Sequence, residues 1–154
     1  MSIVGMRHVG IVVRDMDRSL PFYRDLLRLE VWADFTDDSE YISELTKLPG
    51  ARVRMVKLRT PCGVSVELLQ YLSHPLLKPE RLPSNALGCS HVAFQVDDIE
   101  RTYAHLVKAG VQFHCPPRIS PDGGAKVSYC RDFEDVLIEL VEILPKNQTR
   151  KTCD

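Results

Sequence analysis

The sequence predicts an α+β fold made of two copies of one strand–helix–strand–strand–strand (βαβββ) module. Two observations carry this. The stretch RHVGIVVRDMDRSL at 7–20 lies over SHVAFQVDDIERTY at 90–103, so that His8 meets His91, Val13 meets Val96, Asp15 meets Asp98 and Arg18 meets Arg101. Further along, RTPCGVSVEL at 59–68 lies over RDFEDVLIEL at 131–140, with Arg59 over Arg131, Val64 over Val136, Glu67 over Glu139 and Leu68 over Leu140. The two offsets differ, which places an insertion in the first half between its matching segments. The repeats span about 4–72 and 88–144, joined by a connector at 73–87 that carries Pro75, Pro79 and Pro83 and followed by a polar tail at 145–154.

Each element has a local reason. In the first module, alternation over 8–13 predicts a strand. Asp15 or Asp17 caps a helix running to about Leu29, with Pro21 tolerated near its first turn and Leu20, Tyr23 and Leu27 on one face. Strands follow at 30–35, 52–58 and 64–70, and Pro61-Cys62-Gly63 supplies the turn between the last two. In the second module, 91–96 is a strand, Asp97 or Asp98 caps a helix through Ala109, and Gly110 is a natural residue just past its end. Strands follow at 111–114, 126–131 and 136–143.

The 154 residues, 44% of them hydrophobic, are one domain's worth of chain with enough apolar content for an ordinary core. Twenty basic residues against twenty-one acidic ones give a net charge of −1. That balance removes the electrostatic reason to expect nucleic acid or an anionic membrane as partner. No apolar run approaches the ~20 residues of a membrane span. The opening Met-Ser-Ile-Val-Gly-Met-Arg-His has no apolar signal core, so the expectation is a cytoplasmic protein. Cys62, Cys89, Cys115, Cys130 and Cys153 are odd in number and scattered, with no Cys-x-x-Cys. They read as small hydrophobes in strands plus one tail thiol, in a reducing compartment.

The chemistry lies in where the repeat places its polar residues. Glu67 interrupts an apolar strand between Val66 and Leu68, and Glu139 does so between Ile138 and Leu140. A lone carboxylate in such a strand is expensive to bury unless it is paired or bound to a cation. His8 and His91 each open an apolar strand. Singly, each of these residues has a bland explanation, a satisfied strand-end histidine or a solvent-facing glutamate. Their recurrence at equivalent points weakens it. A pseudo-twofold arrangement brings two imidazoles and two carboxylates together, a donor set suited to a divalent transition ion such as zinc, nickel, cobalt, manganese or iron.

The paired modules, their His-Val-x-Ile/Phe-x-Val-x-Asp-Met/Ile-Asp/Glu-Arg-Ser/Thr openings and their Val-x-x-Glu-Leu closings resemble the vicinal oxygen chelate superfamily, over about residues 6–143. That superfamily includes glyoxalase I, methylmalonyl-CoA epimerase, extradiol dioxygenases and the fosfomycin and bleomycin resistance proteins. The resemblance implies a curved, cup-like mixed sheet around one divalent metal ion, the glyoxalase/bleomycin resistance/dioxygenase fold. It implies His8, Glu67, His91 and Glu139 as ligands, with two adjacent positions left for water or substrate oxygens. It also implies a homodimer, because an open cup exposes sheet edges. A small substrate with neighbouring oxygens would chelate there, and the α-proton would go to Glu67 or Glu139, the pair that serves this way in glyoxalase I. The expected activity is that of a lyase or an isomerase/epimerase working through an enediolate on an α-oxygenated carbonyl or acyl thioester.

Strand parity nominates two more residues. A turn of even length after Leu58 aligns Val56 with Glu67 and Arg54 with Leu69; the same construction aligns Ser128 with Glu139 and Lys126 with Val141. Arg54 and Lys126 then share the ligands' face and are candidates to hold a substrate carboxylate or phosphate. A turn of odd length, or a bulge, reverses this and sends both to solvent. The insertion at 40–51 is expected to be a loop over the cup, and its Glu40 and Glu44 are either further bases or solvated.

Details of the chain divide between family members. Residues 91–113 resemble methylmalonyl-CoA epimerase, but 131–135 lack the longer Gly-Gly loop usual there before the last strand. Glu67 is followed by Leu68-Leu69-Gln70 rather than by the Leu-Thr and asparagine usual in glyoxalase I. Two alternatives stand beside the lyase/isomerase reading. One is an iron-dependent ring-cleaving dioxygenase, against which the fourth ligand counts. The other is a metal-free ligand-sequestering protein of the bleomycin-resistance kind, whose members generally lack the ligands.

Overall fold

The computed structural model describes residues 5–77, 83–85, 88–89 and 91–145, which leaves the Cys153 thiol, most of the polar tail and much of the connector outside the described residues. The chain divides into two compact units, Met1–Leu82 and Pro83–Asp154, each with a four-stranded mixed sheet and few helices.

The first unit runs β1 (His8–Val12), α1 (Met16–Pro21), β2 (Glu30–Asp37), α2 (Glu40–Thr46), β3 (Val53–Arg59) and β4 (Ser65–Tyr71). The sheet order is β1-β4-β3-β2, with β1 parallel to β4 and the other neighbours antiparallel. Asp15 caps α1, its carboxylate accepting from the amides of Asp17 and Arg18. Pro21 lies past the first turn rather than in it. Its missing N–H and its ring disturb the helical ladder there, and the chain continues as one π-helical stretch, Phe22–Leu26, in which the Leu27 amide donates to the Phe22 carbonyl. That widened turn buries Phe22 and Tyr23 completely, edge to face at 5.1 Å. Arg28, in the left-handed region at φ 58°, ends the run.

The second unit runs β5 (Val92–Gln95), α3 (Ile99–Lys108), β6 (Arg118–Ile119), β7 (Ala125–Arg131) and β8 (Leu137–Ile143), in the order β5-β8-β7-β6. Asp98 caps α3, and Gly110 follows it at φ +85°. The strand expected at 111–114 is not formed: only Phe113 pairs, bridging to Cys130, and β7's neighbour is the short β6 instead. Pro116 and Pro117 carry no N–H and interrupt any ladder running through that stretch.

Two further expectations are corrected. The insertion at 40–51 contains a helix, not a loop, because Ile42 buries itself against Ala51, Val53 and Met55; Glu40 and Glu44 stay exposed. Of the described cysteines only Cys130 is a buried strand residue, its thiol pushed up to about 12 by burial, whereas Cys62, Cys89 and Cys115 are exposed. No helix among the described residues is long and apolar enough to cross a membrane.

One sheet face in each unit is apolar. Val56, Leu58, Val66 and Leu68 in the first, and Cys130, Ile138 and Leu140 in the second, are all buried. Helix α1 meets β4, and α3 meets β8. Each fully buried aliphatic chain contributes about 1.5–3 kcal/mol. The same polar device pins each helix to its sheet. Gln70 Oε1 accepts from the first helical amide, Met16, at 3.2 Å, and Glu142, at the equivalent strand position, accepts from Ile99 at 2.9 Å.

Candidate metal and substrate site

The hairpins decide which side chains surround each glutamate. Between β3 and β4 the flanking pair is Arg59 and Ser65, and between β7 and β8 it is Arg131 and Leu137. Both connections are odd in length. Each carries a left-handed residue near its end, Gly63 at φ +86° and Asp135 at φ +69°, as three-residue hairpin loops do. The register is therefore one residue away from the expected one. Lys57, not Val56, lies opposite Glu67, and Tyr129, not Ser128, lies opposite Glu139.

This overturns the placement of Arg54 and Lys126. Arg54 pairs with Gln70 and Lys126 with Glu142, on the faces that meet α1 and α3. Arg54 forks onto Asp34 at 2.9 and 3.1 Å and reaches Asp17 of α1 at 3.1 Å. That fork holds the Asp34 carboxyl below its ordinary range. Lys126 bonds Glu100 of α3 at 2.7 Å, which raises its own affinity for a proton. Both cations tie sheet to helix and turn away from the glutamates.

The His–Glu pairs do come together inside each unit. β1 runs parallel to β4 with His8 opposite Ser65 and Gly10 opposite Glu67, so the imidazole and the carboxylate share a face two residues apart. His8 Nε2 lies 3.2 Å from Glu67 Oε2. β5 and β8 repeat the pairing, with Ala93 opposite Glu139. His91 Nε2 lies 3.2 Å from Glu139 Oε2. Ligand bonds of about 2.1 Å at right angles put neighbouring donors about 3 Å apart, so each pair is spaced as two adjacent ligands of one cation. Among the described residues no group of three or more His, Cys, Asp or Glu side chains is close enough to hold an ion.

The surroundings of the two carboxylates differ. Glu67 is 8% exposed, and its second oxygen receives the Lys57 ammonium at 3.1 Å. That ammonium lies 5.6 Å from the Trp32 ring centre and 5.5 Å from that of Phe35. Trp32 sits where the β2–β3 register slips by one residue, and such a bulge re-aims a side chain. Arg7, His8, Trp32, Lys57, Ser65 and Glu67 line a small depression of about 50 Å³. In the second unit Tyr129 donates to Glu139; burial first, then this bond to an anion, holds the phenol above its ordinary range. Tyr129 meets His91 edge to face at 5.4 Å and stacks with His114 at 6.3 Å. Lys57, Trp32 and Tyr129 have no signal in the repeat, since they become neighbours of the glutamates only when the strands pair.

The family model for the Glyoxalase/Bleomycin resistance protein/Dioxygenase superfamily matches residues 5–140. The chain belongs to this superfamily. A glyoxalase family protein from Bacillus cereus has the same fold, at 28% identity and a TM-score of 0.86 over 94% of this chain and 97% of that one. A lactoylglutathione lyase of Schizosaccharomyces pombe is 25% identical over 92% of this chain, which spans about half (48%) of that relative's length. The fosfomycin resistance protein FosX of Listeria monocytogenes, solved with Mn(II), shares the fold at a TM-score of 0.61 and 18% identity, over 90% of each chain.

Proposed function

We propose that this superfamily member is a divalent-metal-dependent lyase or isomerase/epimerase, acting through an enediolate on a small α-oxygenated carbonyl or acyl thioester. The observation that carries the reading is the duplicated His–Glu pair, set at 3.2 Å in both units by the same strand pairing. His8, Glu67, His91 and Glu139 together would hold the ion, which supplies Lewis acidity to a substrate carbonyl. Relatives support this: manganese is bound in the FosX structure, and a lactoylglutathione lyase matches most of the chain.

The α-proton goes to one of the two carboxylates, and their partners favour one of them. Protonating Glu67 abandons its ion pair with Lys57, whereas Glu139 has a neutral phenol as its second partner. We therefore assign Glu139 as the base and Glu67 as the ligand held in place. Dimerisation, covering sheet edges, belongs to the same proposal and is read by sedimentation.

The test is elemental analysis of the purified protein beside Glu67→Gln and His91→Ala. About one divalent ion per chain, lost in both variants, supports the site and directs screening toward methylglyoxal–thiol adducts and acyl-CoA epimerisation. A wild-type protein that stays metal-free after reconstitution with zinc, nickel, cobalt, manganese and iron overturns the reading. Stoichiometric binding without turnover would then favour a ligand-sequestering protein.

A further inference from the structure

We propose that the depression beside Glu67 is an oxyanion site, built by Arg7, Lys57 and Ser65 against the face of Trp32, and that the substrate therefore carries a carboxylate, phosphate or phosphonate next to an apolar or planar group. The statement about the substrate rests on the enzymatic reading above; the anion site itself does not.

Charge comes first. The depression holds two cations, Arg7 and Lys57, and one carboxylate, Glu67, together with His8. Arg7 makes no hydrogen bond or ion pair among the described residues. Among the described residues Lys57 has one partner at bonding distance, Glu67 Oε1, which leaves two of its three N–H donors for something else. The Ser65 hydroxyl, also on the wall, has no side-chain partner among the described residues. A concave surface with an excess positive charge and unused N–H and O–H donors is matched by an oxyanion. A divalent ion on the His–Glu pairs adds to that excess and makes a neutral substrate a poorer match still.

The aromatic wall narrows the class. Trp32 and Phe35 are 43% and 42% exposed, although they are large apolar rings beside the ammonium. The bulge that turns Trp32 toward Lys57 leaves its ring as one side of the depression. An anion carried on a flat or apolar body satisfies the donors and covers that ring at once.

The other unit supplies a built-in contrast. At the repeat positions of Arg7, Lys57 and Ser65 it carries Ser90, Tyr129 and Leu137. None of the three is a cation, so the anion site belongs to the first unit alone.

Trp32 is the single tryptophan of the chain, so its fluorescence reads this depression directly. The experiment titrates full-length, chelator-treated protein with phenylphosphonate, inorganic phosphate and the neutral analogue benzamide, and repeats the series after metal reconstitution. Saturable changes are expected with phenylphosphonate, weaker ones with phosphate and none with benzamide. Arg7→Ala and Lys57→Met should each weaken phenylphosphonate binding about tenfold, and Arg118→Ala, which removes a cation from the other unit, should leave it unchanged. If Lys57→Met fails to fold, Arg7→Ala decides alone. No saturable response to phenylphosphonate up to about 50 mM, an equal response to benzamide, or wild-type affinity in Arg7→Ala overturns the proposal. Loss of anion binding in a protein that still takes up metal removes only this site. Anion binding in a protein that takes up none removes only the enzymatic reading.

Discussion

Glu67 and Glu139 occupy the same position in the two modules, and His8 and His91 approach them at the same 3.2 Å, yet one carboxylate faces an ammonium and the other a phenol. The strand pairing that makes the pair is retained in both copies, because moving it by one residue would turn the apolar face outward along with the glutamate. The residue across the hairpin carries no such constraint. Lys57 or Tyr129 can stand there without entering the apolar face packed under α1 or α3, since both lie on the glutamate's own face. A duplicated module can thus keep its donor geometry while its two halves acquire different charge, an ammonium beside one glutamate and a phenol beside the other.

The largest effect expected from this asymmetry is on turnover. At saturating metal, Glu139→Gln should lower kcat by roughly two to four orders of magnitude, and Glu67→Gln by clearly less. Equal losses would break the division of roles. A smaller effect concerns stability. Lys57→Met leaves the buried Glu67 with His8 as its one charged partner among the described residues and should cost about 1–2 kcal/mol, discounted because Lys57 is itself 27% exposed. Tyr129→Phe removes one hydrogen bond and should cost about 1 kcal/mol or less. Urea midpoints at unchanged slope measure both, and a costlier Tyr129→Phe would invert the comparison.

The smallest effect lies on the helix face. Asp34 is held below its ordinary value of 3.8 by Arg54, so this bond contributes stability above that pH and loses it as pH falls through the lower folded value. Arg54→Met should remove that acid-range dependence, for under about 1 kcal/mol at neutral pH because the partners are exposed. A larger loss of substrate affinity than of acid stability would return Arg54 to the binding site.

Much of the architecture is legible in the amino-acid sequence. The repeat locates both sheets, Asp15 and Asp98 announce their helices by capping chemistry, and Gly110 marks a helix end. The His–Glu pairs are legible as well, because residues two apart on paired strands share a face whatever the loops do. The misplacements of Arg54 and Lys126 share one origin. Pro61-Cys62-Gly63 reads plainly as a turn, but its parity is set by Gly63 at φ +86°. A glycine closing a three-residue loop is the signal that carries that parity. Asp135 in the same left-handed conformation offers a weaker one, since residues other than glycine enter it less readily.

Periodicity and local backbone preference act within a few residues, and what they specify can be read along the chain. They set the duplicated βαβββ order, the apolar faces, the capped helices and the recurring histidines and glutamates. Only the folded sheets determine that Lys57 and Tyr129 answer the two glutamates, that Arg54 and Lys126 turn to the helices, and that a bulge brings Trp32 to Lys57. Cross-strand neighbours depend on register, and register depends on one left-handed residue per hairpin and one inserted residue in a strand. A shift of one position there exchanges every partner on the sheet, while the composition of each strand stays the same.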